Sequence, residues 1–201
     1  FIAHKRIIFN GNGYDESWVK EAEKRGLSNY RTTPDCIPHM LDKKNVELLT
    51  RGGIFSEKEI KSRVETTLEN YSKTVLIEAN TMVDMAQRDY LPAIEGFTAQ
   101  LLDTLEKKEK YQSFAHSGYE KSTIGKLSVL SDAIASASDE LSHAIVKAKG
   151  ISSEEEKSYA IRDTVIPLMQ RLRASVDEAE TICASSYWPV PVYGDLLFSV
   201  R

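Results

Sequence analysis

Residues 55–110 read FSEKEIKSRVETTLENYSKTVLIEANTMVDMAQRDYLPAIEGFTAQLLDTLEKKEK, with one proline and one glycine in the whole stretch. From Ser56 onward, apolar residues return at three- and four-residue steps: Ile60, Val64, Leu68, Tyr71 and Val75, then Ile94, Phe97, Leu101 and Leu105. That is the spacing of one helix face. At 1.5 Å per residue the element is roughly 80 Å long, more than a small domain can enclose. One end is expected to dock on something, and the other to need helical partners. Ser56 and Glu59 form a capping box that fixes its start. Between Thr74 and Ala86 the apolar residues (Val75, Leu76, Ile77, Ala79, Met82, Val83, Met85) go round the whole circumference, which predicts burial on several sides. Pro92 removes a backbone donor and crowds the carbonyl four residues back. A kink is expected near Arg88–Leu91, with the helix resuming at Ile94.

Downstream, Gln112 to Gly118 reads as a loop, followed by a helix from about Tyr119 to Lys149. Leu127, Ile134, Leu141 and Ala148 stand seven apart, with Leu130 or Ser131, Ala137 or Ser138, and Ile145 between them. This is a heptad seam in which small residues allow close helix approach. Ser153 and Glu156 make a second capping box, opening a third helix through Ile161, Val165, Leu168, Leu172, Val176, Ala179 and Cys183, with Pro167 expected to kink it. Short connections favour antiparallel neighbours. The fold class is therefore mainly α: a kinked antiparallel three-helix bundle with one very long helix.

Upstream, 5–9 (KRIIF) reads as a short strand and Asn10-Gly11-Asn12-Gly13 as a tight turn. Asp15 caps a helix that ends at Gly26, with Trp18, Val19 and Ala22 on its buried face. Thr33-Pro34 opens a second piece, with Thr33 as N-cap; Pro38 distorts it, and another turn or two ends at Gly52-Gly53. These short elements carry little contiguous apolar face and look like the edge of a larger domain. Domain boundaries are placed at 1–55, 56–186 for the bundle, and 187–201 for an extended apolar tail that packs back. In that tail 196–200 is a candidate strand to pair with 5–9.

Net charge is −4, with 41% hydrophobic and 28% charged residues. This gives no electrostatic footprint for nucleic acid or anionic lipid, and no apolar run reaches the ~20 residues of a membrane span. The chain opens FIAHKRIIFN, apolar and without methionine, as a fragment of a longer protein would. Two distant cysteines, Cys36 and Cys183, read as free thiols in a reducing compartment.

Few residues suggest chemistry. Gly11 and Gly13 lack the spacing of a phosphate-binding loop. His4, His39, His116 and His143 show no metal-ligand spacing, and Cys36 with His39 is one C-x-x-H pair where zinc needs two. Glu78 and Asp84 sit in the most apolar part of the long helix. Either could be a general acid or base, pair with a nearby arginine, or face solvent; the lack of an adjacent His, Cys or Lys-Ser constellation favours a structural role. Lys107, Lys108 and Lys110 read as a solvated helix end. No residue is assigned a catalytic, cofactor-binding or metal role.

Four segments together resemble a known family. FNGNGYDESWVKEAEKRGL (9–27), TTPDCIPHMLDKKNVELLTRGGIFSEKEI (32–60), ENYSKT with IEA (69–79) and YWPVPVYGDLLFSV (187–200) resemble the C-terminal region of type III glutamine synthetases. The likeness is strongest over 7–95 and 187–200. Ile37-Pro38, Leu41, Val46–Leu48, Gly53, Tyr71 and Lys73 also resemble a helix-turn-helix stretch of glutamine synthetases in general, although the usual serine-leucine-glutamate pattern is missing.

The resemblance implies an ATP-dependent ligase joining ammonia to glutamate through a γ-glutamyl phosphate, with Mg²⁺ or Mn²⁺ held by glutamates on a β-sheet. It implies six-membered rings stacked into dodecamers, active sites between neighbouring subunits and a cytoplasmic setting. The motifs that carry the metal, nucleotide and substrate contacts are expected upstream of Phe1. This segment is then structural, inactive alone and without ATP or metal of its own; residues 1–55 are the edge of the catalytic domain, to which the tail returns. A non-enzymatic helical scaffold is the alternative reading.

Overall fold

The computed structural model describes residues 8–111 and 115–198. The capping box at Ser56 forms as its sequence dictates. The Glu59 carboxylate accepts from the N–H (2.7 Å) and the hydroxyl (2.8 Å) of Ser56, while the Glu59 N–H donates to Ser56 Oγ (3.3 Å). Helix α4 follows over Glu57–Met85. A π turn over Ala86–Tyr90 joins it to α5, Leu91–Tyr111, in one helical run of 55 residues.

The π turn is the form the proline distortion takes. The Leu91 N–H donates to the Ala86 carbonyl, five residues back, and Pro92 follows at once. A wider turn moves aside the Arg88 carbonyl that the Pro92 ring would otherwise meet. The third helix solves the same problem identically. After α7, Glu154–Ala160, a π turn covers Ile161–Val165, the Ile166 N–H donates to the Ile161 carbonyl, and Pro167 lies in the first turn of α8, Ile166–Ile182. Ser153 caps α7, accepting from the Glu156 N–H at 3.3 Å.

Helix α6, Gly118–Lys149, lies between the other two, touching α5 and its π turn on one side and α7, α8 and theirs on the other. All the seam positions read from the sequence are buried: Leu127, Ile134 and Leu141 completely, with Leu130, Ser131, Ala137, Ser138, Ile145 and Ala148. Burying each large aliphatic side chain contributes roughly 1.5–3 kcal/mol. The core also takes Val75, Leu76, Ala79, Ala86, Ile94, Phe97 and Leu101 from the long run, and Ile161, Val165, Leu172, Ala179 and Cys183 from the third helix. Burial of α4 is not all-round within this chain, however: Ile77 is 66% exposed.

The chain divides into two compact units, 1–64 and 65–201. In the described part of the first, α1 spans Glu16–Lys24, capped by Asp15, whose side chain accepts from the Ser17 N–H; Gly26 follows at φ +71°. Helix α2, Thr33–Cys36, is capped by Thr32 and not by Thr33, since the Thr32 hydroxyl accepts from the Asp35 N–H, and Pro34 is its second residue. A 3₁₀ turn at Ile37–Leu41 surrounds Pro38, and α3 spans Lys43–Arg51 before Gly53 at φ +65°. The strand expected at 5–9 falls mostly outside the described residues, and Ile8 and Phe9 are neither helix nor strand.

The tail needs one correction, at its far end. Tyr187 and Trp188 pack on the bundle itself: Trp188 stacks on Tyr90 (ring centroids 5.1 Å) and Tyr187 lies on Phe97 (5.6 Å). The strand expected at 196–200 is instead a short helix, α9, Tyr193–Phe198. The cause is local: the Asp195 carboxylate reaches back to accept from the Val192 N–H (3.2 Å), a carboxylate cap at the third helical position. That removes the strand which the pairing with 5–9 required; 199–201 lie outside the described residues.

Replacing Ile134 with Ala in this chain is expected to cost about 2–5 kcal/mol in urea unfolding. Ala133→Ser, one residue away on the exposed face, is expected to stay within about 0.5 kcal/mol.

Candidate functional site

The polar residues singled out in the sequence do not converge. Glu78 is exposed, and Asp84 pairs with Arg88 one turn on (3.1 Å), the structural alternative for that residue. His39 stacks on Tyr30 (4.2 Å) and bonds Asp42 through Nδ1 (3.1 Å). Cys36 is exposed, and Cys183 is buried, which pushes its thiol upward. Asn12, between Gly11 and Gly13, makes an Asx turn, its side-chain oxygen accepting from the Tyr14 N–H (3.1 Å).

What the fold does bring together lies at the first π turn. Tyr90, Met82 and Met85 face Leu172, Arg173, Val176 and Asp177 across a groove of about 300 Å³. Trp188 backs Tyr90, and Tyr187 rests on Gly96, where a Cβ would stand 3.4 Å from its ring. Burial pushes the Tyr90 hydroxyl upward, aided by Glu180, Asp89 and Asp177. Two Met, a Leu and a Val beside a Tyr supply packing surface, and the Asp177 carboxylate in the groove accepts from Arg173 Nε at 3.3 Å.

Where α5 gives way to α6, Lys108 Nζ meets Glu120 Oε1 at 2.5 Å and donates to the His116 carbonyl at 3.3 Å, while Lys121 meets Glu109 at 2.7 Å. These pairs clip the end of α5 to the start of α6. Glu120 is only 5% exposed and stands in the first turn of α6, where the helix dipole favours a carboxylate. Its carboxyl is held below the ordinary glutamate range, chiefly by the Lys108 hydrogen bond and then by a backbone N–H. The sequence reading of Lys107, Lys108 and Lys110 as a solvated end fails for Lys108, which is largely covered. The missed signal was an acidic residue in the first turn after the loop. At the other face, Arg171 meets Glu140 at 2.5 Å, tying α8 to α6 and lowering the Glu140 carboxyl.

Compared with known proteins, residues 1–109 match the family model described as glutamine synthetase C-terminal domain. The chain belongs to that family. Over nearly its whole length it is similar to glutamine synthetases: 37% identical over 200 residues to one from Butyrivibrio fibrisolvens, covering 100% of this chain and 29% of the relative. It is 30% identical over 201 residues to a type-3 glutamine synthetase from Dictyostelium discoideum (98% and 27%), and 31% identical over 204 residues to a glutamine synthetase from Bacteroides fragilis (98% and 28%). The chain thus spans less than a third of the length of these relatives.

The family's name, glutamine synthetase, implies ATP and Mg²⁺ or Mn²⁺ for the whole enzyme. Among the described residues no three His, Cys, Asp or Glu side chains group as a cation would need, and no chemical step is routed through one here. Among the same residues no helix is long and apolar enough to cross a membrane.

The Lys108–Glu120 clip gives a signed pH dependence. Because the folded carboxyl titrates below its unfolded value, near 4.5, its stabilisation is complete above that value and is lost as pH falls through the lowered one. The stability gap between wild type and Glu120→Gln should be constant from about pH 8 to about pH 5 and close at lower pH. A gap unchanged down to about pH 2 would show that the charge contributes nothing.

Proposed function

We propose that this chain is the C-terminal part of a glutamine synthetase, an ATP-dependent glutamate–ammonia ligase, and serves it as a structural and assembly element. The observation that carries the reading is the family match over residues 1–109, which covers the first unit and the whole of the long helix up to Glu109. In this reading 1–55 complete an edge of the catalytic domain, 56–186 form the bundle, and 187–201 fasten back. Glutamate, ammonia, ATP and Mg²⁺ or Mn²⁺ are handled by other parts of the polypeptide, in a cytoplasmic assembly of subunits built as a dodecamer. The burial pattern supports a structural role: among the described residues the covered charged group, Glu120, is committed to an ion pair that holds helices together, and the covered apolar residues fill a helix seam.

The full-length polypeptide should form glutamine from glutamate, ammonia and ATP, while this chain alone gives no γ-glutamyl transferase turnover and no ATP binding. Turnover by the isolated chain would sink the placement of the active site elsewhere. No glutamine from the full-length polypeptide would favour the helical scaffold instead. For the structural role, Ile134→Ala in the full-length protein should lower the melting temperature of the assembly and leave KM for ATP and glutamate unchanged. A raised KM in an intact assembly is the contrary result.

A further inference from the structure

The long run and α8 each pack on α6, and their backbones scarcely approach one another. Between them lies the groove of Met82, Met85, Tyr90, Leu172 and Val176. The tail bridges the two rods. The chain leaves α8 at Cys183 in an extended conformation, and the Tyr187 and Trp188 N–H groups then both donate to the Ala184 carbonyl (2.9 and 3.2 Å). This turn lays two neighbouring rings on the long run, Tyr187 against Phe97 and Trp188 against Tyr90. Cys183, at the root of the turn, is buried in the same apolar cluster as Trp188.

The seat is shaped for these rings. Gly96 is the one glycine between Glu57 and Tyr111, and a glycine inside a helix is destabilising. The Tyr187 ring fills the flank that Gly96 leaves open, 3.4 Å from where a Cβ would stand. An alanine there makes ordinary contact, whereas a longer side chain meets the ring. The fastening is apolar, by stacking and burial. Trp188 is only 8% exposed, yet its Nε1 finds no acceptor among the described residues. A buried donor without an acceptor is a standing cost, and release of the ring to water removes it.

We infer that Tyr187 and Trp188 form a detachable strap, held in an aromatic receptor on the long run made by Tyr90, Gly96 and Phe97. Seated, the strap ties the end of α8 to the long run and keeps Cys183 covered. Released, it opens the groove at Tyr90 towards Phe97 and uncovers the Cys183 thiol, while the α6 seam stays closed. The receptor selects flat rings: what it holds is a pair of adjacent aromatic side chains, and an aliphatic pair cannot stack on Tyr90 and Phe97 in the same way.

Alkylation by iodoacetamide, read peptide by peptide in the full-length protein by mass spectrometry, tests the inference. Cys36 is exposed and serves as the internal standard. Wild-type Cys183 should react at least about 100-fold more slowly than Cys36. Gly96→Ala should keep that protection, and Gly96→Leu should reduce it at least about tenfold, although both residues favour helix over glycine. The Tyr187→Ala, Trp188→Ala double variant should lose protection as Gly96→Leu does, and Tyr187→Phe, Trp188→Phe should retain it. Hydrogen exchange of the α6 amides should be the same in all of these proteins. Equal reactivity of Cys183 in the Gly96→Ala, Gly96→Leu and double-alanine proteins overturns the inference. So does α6 exchange that rises together with Cys183 reactivity, because the strap is then inseparable from the fold.

Discussion

The bundle depends on one helix face being covered from both sides. Leu127, Ile134, Leu141 and Ala148 return every seven residues along α6, and neither neighbour by itself can remove them from water. Short side chains at Ala137 and Ser138 let the flanking helices come close, so the seam sets the separation of the three rods as well as their attraction. Everything else in the second unit accommodates that geometry. The Lys108–Glu120 and Lys121–Glu109 pairs fix the α5–α6 end, Arg171–Glu140 pins α8, and the Tyr187–Trp188 tail covers apolar surface on the long run that α6 leaves open.

Two prolines work against this arrangement, and both are absorbed in the same way. Pro92 and Pro167 each follow a five-residue π turn by two positions, and both turns contact α6. The helix keeps its hydrogen-bonded continuity while conceding one regular backbone bond. The aromatic stack of Tyr90 and Trp188 and the groove beside it stand at the first of these turns.

Much of this is legible in the chain. Ser56–Glu59 and Ser153–Glu156 announce helix starts, because capping is a property of four consecutive residues. The seam of α6 is legible because apolar residues recurring every seven positions suit packed helices and little else. The family resemblance is legible in the segments at 9–27 and 32–60. What cannot be read there depends on distance or on competition. Tyr90 and Trp188 meet only because the third helix brings the tail back across the first. Lys108 looks solvated among alternating charges, and only the fold shows that Glu120 covers it. The apolar run at Leu196–Phe198 has strand composition, but the Asp195 carboxylate bonding the Val192 N–H tips the local competition towards a helix.

The π turns carry a consequence for how the two long rods can change in length. Each turn holds one residue more than an α-helical turn would, and one residue corresponds to about 100° of rotation about the helix axis. Everything after Tyr90 is therefore set out of phase with what precedes it by that angle. Ile94, Phe97 and Leu101 reach the core, and Gly96 meets Tyr187, because the π turn absorbs the extra residue. A single-residue deletion at this point would let the turn close into regular α-helix with its apolar stripe still facing α6, whereas a deletion elsewhere in the rod would turn the stripe away by about 100°. The turn at Ala86–Tyr90 thus acts as a phase setter, and in this rod the count of residues matters more than the identity of most of them.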